Sequence, residues 1–369
     1  MIVVYNEAVA SFVFEGRDYV IIDEKKGHLM RNFRSLILLL VGSCILVACG
    51  GSNTPTLTPT LPPVPTVTPH TPAGIFSEFP LPRPGRALNG ITAGPDGNLW
   101  FTEGHDNKIG RITPGGTVVE FPLPTPNSNP FGITAGPDGN LWFTEFGTDK
   151  IGRISPSGTI AEFPLPTPNS GLGRITKGPD GNLWFTEGMA TKIGRITPSG
   201  TIVEFPLPTP KSLPVGITPG PDGTLWFTEF GTNKLGRIST NGTIVEFPLS
   251  TPNALLYDIT AGPDGNLWFT ERLTGRIGRI STGGAIAEFL LPESNSYPVG
   301  ITAGPDGNLW FTEGHDNKIG RISPSGTISE FAPPTSNLSS PDVITVGPDG
   351  NLWFIEANNV TIGRITSGK

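Results

Sequence analysis

The sequence predicts an all-β fold: a seven-bladed β-propeller of four-stranded blades, closed by its own N-terminal strand. Three observations predict it. First, the phrase GITAGPDGNLWFTEGHDNKIGRI at Gly90–Ile112 returns letter for letter at Gly300–Ile322, and looser copies begin at Gly132, Arg174, Gly216, Asp258 and Val343. The seven tryptophans, Trp100, Trp142, Trp184, Trp226, Trp268, Trp310 and Trp353, fall one per copy, 42 residues apart with a single step of 43 at the end. A fixed period of this length is the mark of a solenoid or a propeller. Second, no copy has a helical period, and Gly and Pro punctuate each one. Third, the last copy lacks its final segment, which stands instead ahead of the first copy.

Each copy reads as four short strands. GITAG forms the first, and PDG is a tight turn in which Asp and Gly supply the special backbone angles. NLWFTE forms the second; its Leu-Trp-Phe run has no polar alternation, as expected of a strand covered on both faces. A four-residue loop leads to KIGRI, the third strand. TPSG or TPGG turns the chain into the fourth, TIVEFPLP, and a TPNS-type connector leads to the next copy. The simplest hairpin register sets Trp100 opposite Arg111 and Phe101 opposite Gly110. The glycine then makes room for a ring, and the guanidinium stacks on the indole.

Closure follows from counting fourth strands. Their glutamates are Glu78, Glu120, Glu162, Glu204, Glu246, Glu288 and Glu330, so the first of them, in GIFSEFPLP, precedes the first complete copy. That strand is expected to complete the last blade and latch the ring over residues 75–369, which removes the open edges of a linear array.

The chain ahead of the propeller divides into three expected segments. Residues 1–29 carry five acidic residues, which do not suit the front of a signal, and translation is expected to start at Met30. Residues 30–49 read as a lipoprotein-type signal peptide. Arg31 and Arg34 precede an uncharged run from Ser35 to Ala48, too short to span a bilayer. It ends in Leu46-Val47-Ala48-Cys49, where the cysteine would be lipidated. Residues 50–74 hold seven Pro and seven Thr with no formal charge. This is the composition of an extended tether, at about 3.1 Å per residue reaching roughly 75 Å. The expected location is therefore the bacterial cell envelope, exported and lipid-anchored to a membrane surface. Both cysteines, Cys44 and Cys49, lie in the signal, so the propeller has no disulfide, cysteine metal site or thiol nucleophile.

The net charge of −7 is mostly architecture. The turn aspartates such as Asp96 and the two sets of strand glutamates recur in every copy, and no basic patch points to nucleic acid. The second-strand glutamates, Glu103, Glu145, Glu187, Glu229, Glu271, Glu313 and Glu356, invite comparison with a cation-binding ring. Each copy also brings an arginine, from Arg111 to Arg364, so satisfaction by arginine or backbone donors is the expectation, with no metal. His105 and His315 sit in identical loops after second strands and are expected to be exposed scaffold copied with the blade.

What stands out from the repeat lies in the connectors and in the loops after the second strands, which chain direction places on one face. These residues are Phe131, Phe146, Met189, Phe230, Leu255, Leu256, Tyr257 and Tyr297, with Arg83, Arg86, Arg174, Lys177 and Arg272. Loop packing is one reading of them. A concave site at the channel mouth for a small ligand or a protein is the other.

The repeat GITxGPDGNLWFTE…KIGRIT…G.I.EFPLPTP resembles virginiamycin B lyase, the streptogramin lyase, over all seven copies. The resemblance implies a propeller enzyme that opens the ring of a streptogramin B antibiotic by elimination at an ester, with Mg²⁺ and a histidine base. It implies histidines two residues before the first-strand Ile in the last two blades; here those positions are Val299 and Asp342. It implies metal-linked glutamates at Ser340 and, one residue out of step, at Glu356. The expected function is therefore a ligand- or protein-binding module, monomeric, with no cofactor. A lyase acting with Mg²⁺ through His315, Asp342 and Glu356 is the alternative.

Overall fold

A computed structural model describes residues 2–5, 8–11, 73–81, 87–333, 340–357 and 360–368. The chain divides into two units, Met1–Pro65 and Thr66–Lys369. In the first, Ile2–Tyr5 pairs antiparallel with Ala8–Ser11. The expected signal, Cys49, most of the tether, Arg83 and Arg86 lie outside the described residues.

The second unit is built from the segment that burial singles out. Leu99–Glu103 and its six counterparts are buried at all five positions, so each second strand is covered on both faces. It sits second in a four-stranded antiparallel sheet, as in Leu88–Ala93, Leu99–Glu103, Lys108–Ile112 and Val118–Pro122 of blade one. Seven such sheets follow the chain. In the seventh, Pro341–Val346, Leu352–Glu356 and Thr361–Ile365 are completed by Phe76–Pro80, which pairs with Thr361–Ile365 from Phe76↔Ile365 to Pro80↔Thr361. The expected latch is present. The hydrophobic clusters fall between blades: Trp142 and Ile151 of blade two pack with Leu172, Ile175, Leu183 and Phe185 of blade three. Trp353, Ile355 and Ile362 of blade seven pack in the same way with Leu88, Ile91, Leu99 and Phe101 of blade one.

The hairpin register is the expected one, Trp100↔Arg111 and Phe101↔Gly110. A Cβ at Gly110 would collide with the Phe101 ring. Trp100 stacks on Phe121 at 5.4 Å, and the Arg111 guanidinium lies 5.5 Å from the indole centroid. The indole Nε1 donates to Asp96 at 2.9 Å. Arg111 also approaches Asp96 at 3.5 Å and donates to the Pro156 carbonyl of the next blade at 3.0 Å. The same bond from Arg364 to Pro114 O, at 3.1 Å, joins blade seven to blade one.

Two details differ from expectation. The first strands start two residues early, at Leu88 rather than Gly90, because a bulge between Leu88 and Ile91 lets Leu88 pair with Glu103. The arginines do not satisfy the second-strand glutamates. Trp100 and Glu103 are three residues apart on one strand, so their side chains point to opposite faces, and Arg111 lies opposite Trp100. Glu103 lies opposite Lys108, whose Nζ donates to the fourth-strand Glu120 at 2.7 Å. Hydroxyls take part of the role instead: Thr148, Thr232 and Thr274 donate to Glu145, Glu229 and Glu271.

Candidate functional site

The first strands of neighbouring blades touch all round the ring, blade seven against blade one included, and so line the central channel. The repeat places glycine immediately before the first-strand Ile in blades one, two, four and six. A Cβ at Gly90, Gly132, Gly216 or Gly300 would press on the backbone of a neighbouring blade. Blades three, five and seven carry Arg174, Asp258 and Val343 there instead. These three, with Gly90, Ile91, Ile133, Ile175 and Ile217, line a cavity of about 100 Å³.

Arg174 is the centre of a polar cluster. Its Nη1 donates to Asn89 O at 2.9 Å, and its guanidinium lies 5.3 Å from the Phe131 centroid. The bond to Asn89 answers a change elsewhere. In blades one to six the second-strand threonine donates to the carbonyl two residues before the next blade's first-strand Ile, as Thr102 does to Phe131 O at 2.8 Å and Thr312 to Asp342 O at 2.5 Å. Blade seven has Ile355 at that position, and the carbonyl left for Arg174 is that of Asn89.

Arg272, from the loop after the second strand of blade five, lies between two rings, 4.9 Å from Tyr257 and 5.0 Å from Tyr297. Tyr257 has both Arg174 and Arg272 as electrostatic partners, so one ring stands near the two cations. Two aspartates balance them. Asp258 accepts backbone N–H from Ile259 at 3.0 Å and from Ile301 at 3.1 Å. Asp342 has Arg174 and Arg272 as electrostatic partners, yet burial still holds its carboxyl above the usual range. Three buried polar atoms of the cluster have no hydrogen-bond partner: Arg174 Nη2, Arg272 Nε and Asp342 Oδ1. Leu255 and Tyr297, three residues before Asp258 and Gly300, adopt positive φ of 51° and 57°. The equivalent Asn129, Gly171, Leu213 and Ser340 share this conformation, so it belongs to the repeat and does not mark the site.

The structure thus divides the sequence-derived candidates. It brings Phe131, Tyr257, Arg272 and Tyr297 together with Arg174 and Asp342. Phe146 and Phe230 are half-buried at the repeat position of Arg272, in blades two and four. Met189 is 48% exposed at the loop tips. His105 and His315 occupy the same tip position and are exposed, as expected, and His315 Nδ1 faces Asp316 at 3.2 Å. Two residues leave the group. Leu256 is fully buried in an inter-blade core, and Lys177 ends the strand Leu172–Lys177 at the end away from the mouth. Of the alternative set, His315 Nδ1 faces Asp316, Asp342 has the two arginines as electrostatic partners, and Glu356 is buried with Glu78 as its charged neighbour. Sequence reading assigned no role to Asp258; the break in the glycine pattern at 174, 258 and 343 was the signal for it.

The profile of the virginiamycin B lyase family matches residues 59–272 and 254–369. The chain belongs to this family. It is similar to a streptogramin B lyase structure at 42% identity, with TM-score 0.76, over 79% of this chain and 97% of that one. It is equally similar to a virginiamycin B lyase from Staphylococcus aureus, at 42% identity and TM-score 0.76, over 79% and 99% of the two chains. A catalytically inactive histidine-to-alanine form of the S. aureus lyase, with quinupristin, matches at 41% identity, TM-score 0.76 and the same coverage. A comparison with curated proteins gave no match. The family resemblance implies Mg²⁺, and the residues at this mouth do not suit it. The two carboxylates there share their space with two guanidinium groups. Among the described residues no three His, Cys, Asp or Glu side chains converge as a metal site.

Proposed function

We propose that this member of the virginiamycin B lyase family is a ligand-binding module whose site is the channel mouth, exported and anchored to a membrane by lipid on Cys49. The observation that carries the binding role is the cluster of two ring-stacked arginines and Asp342 with three buried polar atoms left for a ligand. A buried polar atom without a partner costs roughly 1–3 kcal/mol, and a ligand that bonded it would recover that cost. Binding rather than turnover is favoured because Val299 and Asp342 stand where the resemblance implies histidines. The histidines that are described lie at exposed loop tips.

A second reading, a carbon–oxygen lyase, draws on one observation. Asp342 stands at an implied catalytic position, with an unpartnered oxygen and a carboxyl raised by burial, as a general base requires. The deciding assay incubates the protein with quinupristin and Mg²⁺ and follows the product by mass spectrometry. The expected result is unchanged quinupristin. Ring opening that disappears in Asp342→Asn would establish the lyase instead.

The anchor rests on the Leu-Val-Ala-Cys site and the uncharged tether after it. Cys49→Ala is expected to move the protein from the membrane fraction to the soluble fraction, with the melting temperature of the propeller unchanged. A processed Cys49→Ala protein that stays with membranes would refute lipid attachment at this residue.

A further inference from the structure

We propose that the mouth receives a free α-amino acid group, ammonium and carboxylate on one carbon, carrying a small branched aliphatic side chain. The inference rests on the reading of the mouth as a ligand site and adds the chemistry of the ligand. The unpartnered atoms have a definite pattern: two donors on cationic groups, Arg174 Nη2 and Arg272 Nε, and one carboxyl oxygen, Asp342 Oδ1, whose ionised form an ammonium group would stabilise. A simple anion would leave Asp342 unanswered, and a simple cation would leave both arginines unanswered. A zwitterion answers all three and preserves the balance of two arginines against two aspartates.

Asp258 and one arm of Arg174 are already committed. Both oxygens of Asp258 accept backbone N–H, and Arg174 Nη1 is held by Asn89 O. The rings of Phe131, Tyr257 and Tyr297 hold the guanidinium planes, so little ordering is left to be done when a carboxylate arrives. The side chain follows from the cavity. Arg174 and Asp258 form part of its wall, and the rest includes Ile91, Ile133, Ile175 and Ile217. A space of about 100 Å³ lined in this way suits a group of isobutyl size.

The test is isothermal titration of the full-length protein with L-leucine, with 4-methylpentanoate, which lacks the ammonium, and with 3-methylbutylamine, which lacks the carboxylate. Leucine is expected to bind at least about tenfold more tightly than either analogue, a margin of about 1.4 kcal/mol. Asp342→Asn should remove the advantage of leucine over 4-methylpentanoate while leaving 4-methylpentanoate itself within about twofold. Arg272→Gln should likewise remove the advantage over 3-methylbutylamine. Equal affinities for the three compounds, or one equal loss for all of them in Asp342→Asn, would overturn the zwitterion. Binding of 4-methylpentanoate alone, lost in Arg272→Gln, would overturn it too, yet keep the mouth as a ligand site. No heat from any of the three would overturn the inference and count against the mouth as a small-ligand site as well.

Discussion

A chain that begins at Arg83 is expected to melt at least about 10 °C below one that begins at Gly74, whereas removing everything before Gly74 should change the melting temperature little. The first truncation deletes the strand Phe76–Pro80, and with it the whole outer ladder of blade seven. It also deletes the ring partners of that blade. Phe79 stacks on Trp353 at 5.1 Å and 16°, with the Arg364 guanidinium 5.3 Å from each ring, and Phe76 meets Phe354 edge-on at 6.2 Å. Losing one well-packed Phe from a core costs roughly 3–5 kcal/mol, and here two are lost together with five residues of strand. The cost does not stay local, because Arg364 and the Trp353 cluster join blade seven to blade one. Thermal melts of the two truncations check this. Coincident melting temperatures would mean that the ring does not depend on its latch.

The parts of the structure that local sequence controls were legible before it. The hairpin between the second and third strands has a four-residue loop, so its register could be counted, and the Trp100–Arg111 and Phe101–Gly110 pairs followed. Closure was legible because the copies of the fourth strand could be counted against those of the other three. The partners of the glutamates were misread for want of one step: Trp100 and Glu103 differ by an odd number, which puts the arginine on the wrong face. The site was legible only in part. Departures from the repeat marked Phe131, Tyr257, Arg272 and Tyr297. Their meeting with Arg174 depends on contacts such as Arg174 to Asn89, 85 residues apart on blades one and three, which are not neighbours in the ring. The exchange of Thr for Ile355 in WFIE was visible in the sequence. Its consequence, a carbonyl bonded from across the channel, was not.

The second large effect is a loss of stability as pH rises through neutrality. The second-strand glutamates are essentially inaccessible to water. Burial, with the fourth-strand glutamate of the same blade adding to it, raises Glu187 to about 8 and Glu313 to about 7. Burial likewise raises Glu229, Glu271 and Glu356 to about 7, each again beside its fourth-strand glutamate, and Glu145 moves in the same direction. Three of the neighbouring carboxyls shift the other way. Glu162, Glu204 and Glu246 overcome their own burial through hydrogen bonds from lysine and threonine and lie below the ordinary value. The sign follows from linkage. An unfolded glutamate titrates near 4.5, so between that pH and the folded value the unfolded state releases its proton while the folded state keeps it. Stability therefore falls from about pH 5 to about pH 8, where ionisation finally occurs inside the blades. Asp96, Asp138, Asp180, Asp264 and Asp349, like Glu162, Glu204 and Glu246, have lowered values and act at pH values below their unfolded ones, on the acid side of this window. Melting temperature is expected to drop by about 10 °C or more from pH 5.5 to pH 8.5. Glu187→Gln, which keeps the shape and cannot ionise, should flatten the slope and raise the melting temperature at pH 8.5. Its counterpart Glu204→Gln should instead destabilise at every pH above 5, because it strands Lys192 and Thr167 beside a neutral amide. A melting temperature that is level across this range, or a Glu187→Gln protein with the wild-type slope, would show that these carboxyls are ionised in the folded ring at neutral pH.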